Sequence, residues 1–158
     1  MEITIRKAEK KDAERLVELL HTIAELHHKG RPDFYLGGSK YTVKDIEKKL
    51  CDKEQLILVA VNEEDFVAGY TMSKIYDVKQ EGVLAPMKKM YIDDVCVDSA
   101  FRGCGVGKKL MDATKQAAID AKCHVADLNV WAFNEGAVEF YKSCGMKVQR
   151  IYMEYVLD

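Results

Sequence analysis

The segment from Met90 to Leu110, MYIDDVCVDSAFRGCGVGKKL, constrains this chain more than any other. It reads as a buried strand, a short polar turn, a glycine-rich loop and the start of an amphipathic helix. Gly103, Gly105 and Gly107 stand at alternate positions, removing side chains where a backbone must curl tightly or be approached closely. Lys108 and Lys109 follow at once. A glycine loop running into a helix N-terminus aims several N–H groups at one spot, with the positive end of the helix dipole behind them. Such a spot suits an anion, phosphate above all.

The rest of the chain has to build around that strand and helix. At 158 residues it is long enough for one domain, 1–158, with a core that needs neither disulfides nor a metal. A net charge of −2 gives no global pull toward nucleic acid or a membrane surface. The five cysteines, Cys51, Cys96, Cys104, Cys123 and Cys144, form no C-x-x-C pair, which argues against a disulfide framework or a zinc site. The charged start MEITIRKAEKKD lacks the apolar core of a signal peptide, and no apolar run reaches membrane-spanning length. The expectation is a cytoplasmic protein with reduced thiols.

Ile3 and Ile5 alternate with polar residues as in a first strand. Asp12 stands at an N-cap position before Leu16, Val17, Leu19, Leu20, Ile23 and Leu26, which recur at helical spacing until Gly30. RPDFYLGGSKY is an aromatic loop, and Thr42 with Asp45 predicts a capped second helix ending near Cys51. QLILVAV and FVAGYTMSKIY read as a hairpin. After the glycine loop come a helix with Val106, Leu110, Met111, Thr114, Ala117, Ala118 and Ala121 on one face, a strand HVADLNV, and a helix capped by Asn134. Alternating apolar residues from Met146 to Leu157 predict one or two closing strands. The β-α-β crossover in the second half makes some strands parallel within an otherwise antiparallel sheet.

Three loop types compete for the glycines. A P-loop, G-x-x-x-x-G-K-[ST], fails at Arg102 and Lys109, and a Rossmann fingerprint fails in glycine spacing and in its place in the chain. Arg102-Gly103-Cys104-Gly105-Val106-Gly107 matches [QR]-x-x-G-x-[GA], the pyrophosphate loop of the GNAT superfamily of N-acetyltransferases. LNVWAFNEGAVEFYKSCGM resembles a second block of that superfamily. The chain is similar to it over nearly its whole length, and both blocks look most like the spermidine/spermine, small-amine branch.

The resemblance implies a GNAT-like α/β fold: a mixed, mostly antiparallel sheet with a bulged, splayed central strand and flanking helices. It implies acetyl-CoA as cofactor, direct attack by a primary amine in a ternary complex, and no metal. The backbone of Val95, Cys96 and Val97 would pair with the pantetheine arm. The loop Arg102, Gly103, Cys104, Gly105, Val106, Gly107 and Lys108 would hold the pyrophosphate, and Asn134 and Ala137 would contact the cofactor near its pantetheine end. Tyr141 matches the general acid for the departing thiolate. Asp93 and Asp94 occupy the place of a Glu-Asp pair in polyamine-branch relatives, so they are candidates to take the amine's proton. Asp33 and Tyr35, with His27, His28 and Arg31, are candidates for the acceptor wall, against the plainer reading of a solvated helix end and a packed aromatic loop.

The expected partner is a small-molecule amine, with no nucleic acid and no membrane. Dimers are common in the superfamily, and the apolar closing strands could serve a homodimer. Two alternatives stand beside a small-amine enzyme: an N-terminal protein acetyltransferase, and a non-catalytic acyl-CoA-binding sensor.

Overall fold

The structure is a computed structural model and describes residues 2–157. Its sheet runs in the order β1 (Thr4–Lys7), β2 (Gln55–Val61), β3 (Val67–Val78), β4 (Met87–Val97), β5 (Val125–Asp127). The first three pairings are antiparallel and the last, β4 with β5, is parallel. Helices α1 (Ala13–Gly30) and α2 (Val43–Cys51) precede β2. Helix α3 (Val106–Asp120) makes the crossover from β4 to β5, and α4 (Glu135–Ser143) follows β5.

The run QLILVAV has no polar alternation because both faces of β2 are covered. Ile57, Val59 and Val61 pack with Leu16, Leu20 and Ile46 of α1 and α2, while Leu58 and Ala60 pack with Val106 and Leu110 of α3. Residues two apart share a face of a strand, so one sheet separates two cores. The predicted capping box of α2 forms: Thr42 Oγ1 accepts from the Asp45 N–H at 3.3 Å, and the Asp45 carboxylate accepts from the Thr42 N–H at 2.9 Å.

Three local expectations are corrected. The Asp12 carboxylate caps nothing in α1. It is buried beneath Arg6, which donates to it at 2.8 and 3.0 Å, and it also accepts from the Glu9 N–H. As the spacing predicts, α1 runs to Gly30, its last residue, with Arg31 at the C-cap. The largest correction is at the C-terminus. Met146 to Leu157 forms no strand, and its apolar side chains from Val148 to Leu157 are 66–97% exposed. A strand needs a ladder partner, and this segment meets none among the described residues. For the same reason HVADLNV yields only the three residues of β5.

Candidate active site

The site begins with a fault in the sheet. Met72 opposes Asp94 and Ser73 opposes Ile92, so Asp93 is an extra residue in β4, a β-bulge. On its other edge β4 is followed by β5 only from Lys89 to Tyr91. Beyond Tyr91 the two strands part, and the outer edge of β4 lies open. The splay covers Val95 to Val97, while the bulge sits upstream of them. The Asp98 N–H bonds Ala68 O at 2.9 Å. The alternation of an antiparallel ladder then turns residues 94 and 96 toward β3, and the N–H and C=O groups of Val95 and Val97 toward the open edge. Val97 O accepts from Arg102 Nε at 3.1 Å.

The glycine loop closes the far end of this edge. Gly103 and Gly105 both have φ of 76°, a left-handed conformation in which any side chain is strained, and Gly105 is the N-cap of α3. The first helical bond is from the Lys109 N–H to Gly105 O. The amides of Gly103, Cys104, Gly105, Val106, Gly107 and Lys108 therefore have no acceptor among the described residues. A Cβ added at Gly103 or Gly105 would meet nothing within 4 Å, so a ligand can reach the backbone there. Gly107 is needed for a different reason: a Cβ would lie 2.9 Å from the ring of Phe140, so the gap lets α4 dock on α3. Neither lysine reaches over the loop, since Lys108 pairs with Asp112 and Lys109 donates to Ile3 O. Six free amides at a helix N-terminus suit a pyrophosphate, and an unpaired strand edge suits an amide-bearing arm.

At the bulge the side chains carry the chemistry. Asp93 Oδ2 accepts from Lys40 Nζ at 2.9 Å and from the Tyr41 hydroxyl at 3.4 Å. Burial raises the Asp94 carboxyl to about 6, against the opposing charge of Lys40 and with help from Asp93. Burial opposes the Lys40 ammonium, but the Asp93 bond and both carboxylate charges outweigh it and raise its pKa. Tyr141, on α4, is pushed up to about 12, first by burial and then by the charge of Asp94. The Tyr70 hydroxyl is fully buried without a hydrogen-bond partner, and burial and the Asp94 charge raise its pKa well above the usual phenol value. Lys40, Asp93, Asp94, Tyr70 and Tyr141 thus share one electrostatic neighbourhood where the edge of β4 opens. Burial pushes the Cys96 thiol up to about 12, so it stays protonated and serves as a small packing group.

Residues 6–146 match the profile of the Acetyltransferase (GNAT) family. The chain belongs to the GNAT family. It is an N-acetyltransferase, of a family whose enzymes use acetyl-CoA as co-substrate. It is 27% identical over 148 residues to the peptidyl-lysine N-acetyltransferase YjaB of Escherichia coli, covering 94% of this chain and 84% of that protein. The thialysine N-epsilon-acetyltransferase of Sus scrofa is 32% identical over 60 residues, 38% of this chain and 35% of that one. A mutant of the BH1408 protein from Bacillus halodurans superposes with a TM-score of 0.93 at 27% identity, covering 98% of this chain and 99% of the other. Among the described residues no helix is long and apolar enough to cross a membrane.

The remaining expected residues of this GNAT protein lie in two places. Asn134 caps α4, and its side chain accepts from the Ala137 N–H at 3.2 Å, which occupies that amide. Asp33 and Tyr35 belong to a wall at the end of α1. Asp33 pairs with Arg31 at 2.8 Å, and the Tyr35 hydroxyl accepts from Trp131 Nε1 at 2.9 Å. The Arg31 guanidinium lies against both Phe34 and Trp131, 5.0 and 4.9 Å from the ring centres. Phe133 fills the space above Gly30, where a Cβ would be 2.2 Å from its ring. His27 links wall and acid cluster: it stacks on Tyr35, and burial and the Lys40 charge lower its pKa. Lys40, Tyr41 and Tyr70 were not legible as site residues. Lys40 meets Asp93 across 53 residues of sequence, and only the β3–β4 register places Tyr70 opposite Cys96.

Proposed function

We propose that this GNAT enzyme acetylates a terminal primary amine at the end of an unbranched alkyl chain, as in a polyamine or a lysine side chain. The observation that carries the reading is Lys40, whose ammonium sits on Asp93 with Asp94 beside it. The acid pair at the bulge already holds the functional group that an acceptor would bring.

Acetyl-CoA would supply the activated acetyl thioester. The free amides of Gly103 to Lys108 would hold its pyrophosphate, and the outward groups of Val95 and Val97 would align its arm along β4. Asp93 holds the incoming ammonium. An alkyl ammonium with a pKa of about 10.4 costs about 4.6 kcal/mol to deprotonate at pH 7, so a nearby base is needed. Asp94, raised to about 6, remains mostly ionised at neutral pH while being a stronger base than an ordinary carboxylate. Tyr141 keeps its proton at that pH and would supply it to the departing sulfur. A phenol at about 12 gives up its proton to a thiolate near 8.5 only at a cost. The Asp94 charge is one cause of that high value. Once Asp94 takes the amine's proton this cause disappears, so accepting one proton readies Tyr141 to donate another.

Two acceptor classes fit this chemistry. The acidic pair and the small-amine motifs support a free polyamine, whereas the likeness to YjaB over 94% of the chain supports a lysine side chain. Thiol release from acetyl-CoA, compared across linear diamines, spermidine, lysine peptides blocked at the N-terminus and peptides with a free N-terminus only, tests the reading. Turnover with the unbranched amines is expected. Turnover confined to the free N-terminus would transfer the assignment to an N-terminal acetyltransferase, and none with any amine would leave a sensor.

A further inference from the structure

Lys40 differs from the other lysines of the chain in where its carboxylate partner lies. Lys108 pairs with Asp112 within α3 and Lys142 with Glu139 within α4, as surface lysines commonly do. Lys40 is the one lysine, among the described residues, that bonds to an acid of the β4 bulge, 2.9 Å from Asp93 Oδ2. Its loop is built to hold it there. Gly37 and Gly38 turn the chain with φ of 83° and 91°. Two residues after Lys40, the Thr42–Asp45 capping box opens α2 and fixes the far side. The ammonium also lies 5.3 Å from the centre of the Tyr41 ring. The side chain is 43% exposed, so solvent reaches the stem and packing does not lock it.

What the loop presents is the chemistry of an acceptor. A lysine carries a primary amine at the end of an unbranched, flexible four-carbon stem. Asp93 and Asp94 both act on its charge, and Asp94 acts in turn on Tyr141. Val95, whose outward groups would align the cofactor arm, lies two residues and roughly 7 Å along β4 from Asp93. A lysine stem covers such a span by rotation about its own bonds.

We propose that Lys40 is a substrate of its own active site, acetylated within one chain when acetyl-CoA is bound and no other amine is present. The proposal rests on the reading of the bulge as the acceptor site. Asp94 takes one proton from the ammonium, and the freed lone pair of Nζ attacks the thioester carbonyl carbon. A C–N bond forms, the C–S bond breaks, and the departing sulfur takes the Tyr141 proton. The second proton of the nitrogen returns to the phenolate, and the proton on Asp94 passes to solvent. Ammonium and thioester thus become a neutral amide, a thiol and one released proton. The amide no longer pairs with Asp93, whose carboxylate is then free for the ammonium of an incoming amine. Unmodified Lys40 occupies the acceptor position, and its own acetylation vacates it.

The test incubates the full chain with acetyl-CoA alone and reads thiol release together with intact and peptide masses. One equivalent of thiol per chain is expected, with the acetyl group on Lys40, counting any already there on purification. The rate constant should be independent of chain concentration, as for a step within one molecule. Tyr141→Phe should slow the reaction about 10²-fold. Lys40→Arg keeps the cation but offers no amine to acylate, so its equivalent should be lost. Acetylation of added diamines or lysine peptides while Lys40 stays unmodified overturns the inference and leaves the acceptor reading standing. Acetylated Lys40 with no added amine turned over upholds the inference and confines the reading to the chain's own lysine. No acetyl transfer to either overturns both. Acetyl groups scattered over surface lysines, or a rate unchanged in Tyr141→Phe, would mean unassisted chemistry and overturn the inference. A rate constant that rises with chain concentration would mean transfer between copies and overturn it too. Should a variant fail to fold, the position of the acetyl group and the concentration dependence in the unaltered chain still decide.

Discussion

Asp94 should be the residue whose loss most stabilises this protein and most damages its chemistry. Burial raises its carboxyl from the ordinary 3.8 to about 6. A carboxyl raised on folding prefers its neutral form in the folded state, so its ionisation opposes folding as the pH climbs. At 1.36 kcal/mol per pH unit the cost at pH 7.5 is about 3 kcal/mol, an upper bound because the group keeps some solvent contact. Near pH 4.5 most of that penalty is gone and about 1 kcal/mol remains. Asp94→Asn keeps the shape and removes the ionisation. Urea unfolding should show the variant gaining up to about 3 kcal/mol at pH 7.5 and about a third of that at pH 4.5. In the same variant kcat/KM should fall about 10²- to 10⁴-fold, the usual worth of a general base. The unaltered enzyme should lose kcat/KM tenfold per pH unit below about 6, and the variant should lack that limb. A gain independent of pH, or an acid limb that survives in Asp94→Asn, would refute both the burial argument and the role of base.

Three further outcomes follow from the same geometry. Lys40→Met frees Asp93 and removes a charge that lowers the Asp94 pKa, so acceptor KM should fall and the acid limb of kcat/KM should move to higher pH; an unmoved limb in the pH profile would detach Lys40 from the site. Tyr141→Phe should lower kcat by about 10²-fold or more with acetyl-CoA binding intact by calorimetry, and a change confined to affinity would make Tyr141 a packing residue. Gly107→Ala sets a Cβ 2.9 Å from Phe140 and should cost about 1–3 kcal/mol in thermal or urea unfolding. Gly105→Ala, strained at φ 76° but sterically open, should raise the KM for acetyl-CoA as well; equal effects in both variants would contradict the separate tasks of the two glycines.

The sequence was most legible where local chemistry decides the structure. Alternating glycines, the Thr42–Asp45 box, the Asn134 cap and the periods of the helices and the first four strands each act over a few residues, and each forms as expected. Resemblance named Asp93 and Asp94 as candidates, but not the reason both carboxylates share the charge of Lys40. That reason is the bulge, which depends on how β4 registers against β3. Asp12 reads as a cap from its position, and becomes instead the buried partner of an arginine one strand away. Lys40 shows the limit most plainly: nothing in GGSKY announces an ammonium aimed at an acid on another strand. The closing strands failed for a related reason. Their alternation is real, but alternation specifies a strand and not the edge it joins.

That distinction bears on why the site lies where it does. The sheet is well packed from β1 through β4, with helices on both faces, and its order decays past Tyr91, where β4 loses β5. An unpaired edge of a central strand is costly unless something completes it. Here the open backbone at Val95 and Val97, the free amides of the glycine loop and the raised Asp94 carboxyl all fall within a few residues on the same strand and loop. Each is unfavourable in the protein alone and would be relieved by a binding event: an amide-bearing arm for the edge, a pyrophosphate for the amides, a proton for Asp94. The bulge at Asp93 joins these sites mechanically, because the residue that breaks the β3 register lies just past Tyr91, the last β4 residue paired with β5, and carries the first acid. Removing the bulge by deleting Asp93 would realign Ile92 and Asp94 against β3, and it should therefore abolish the binding of acetyl-CoA together with that of the amine. A deletion variant that keeps full affinity for acetyl-CoA by calorimetry would show the two sites to be mechanically independent.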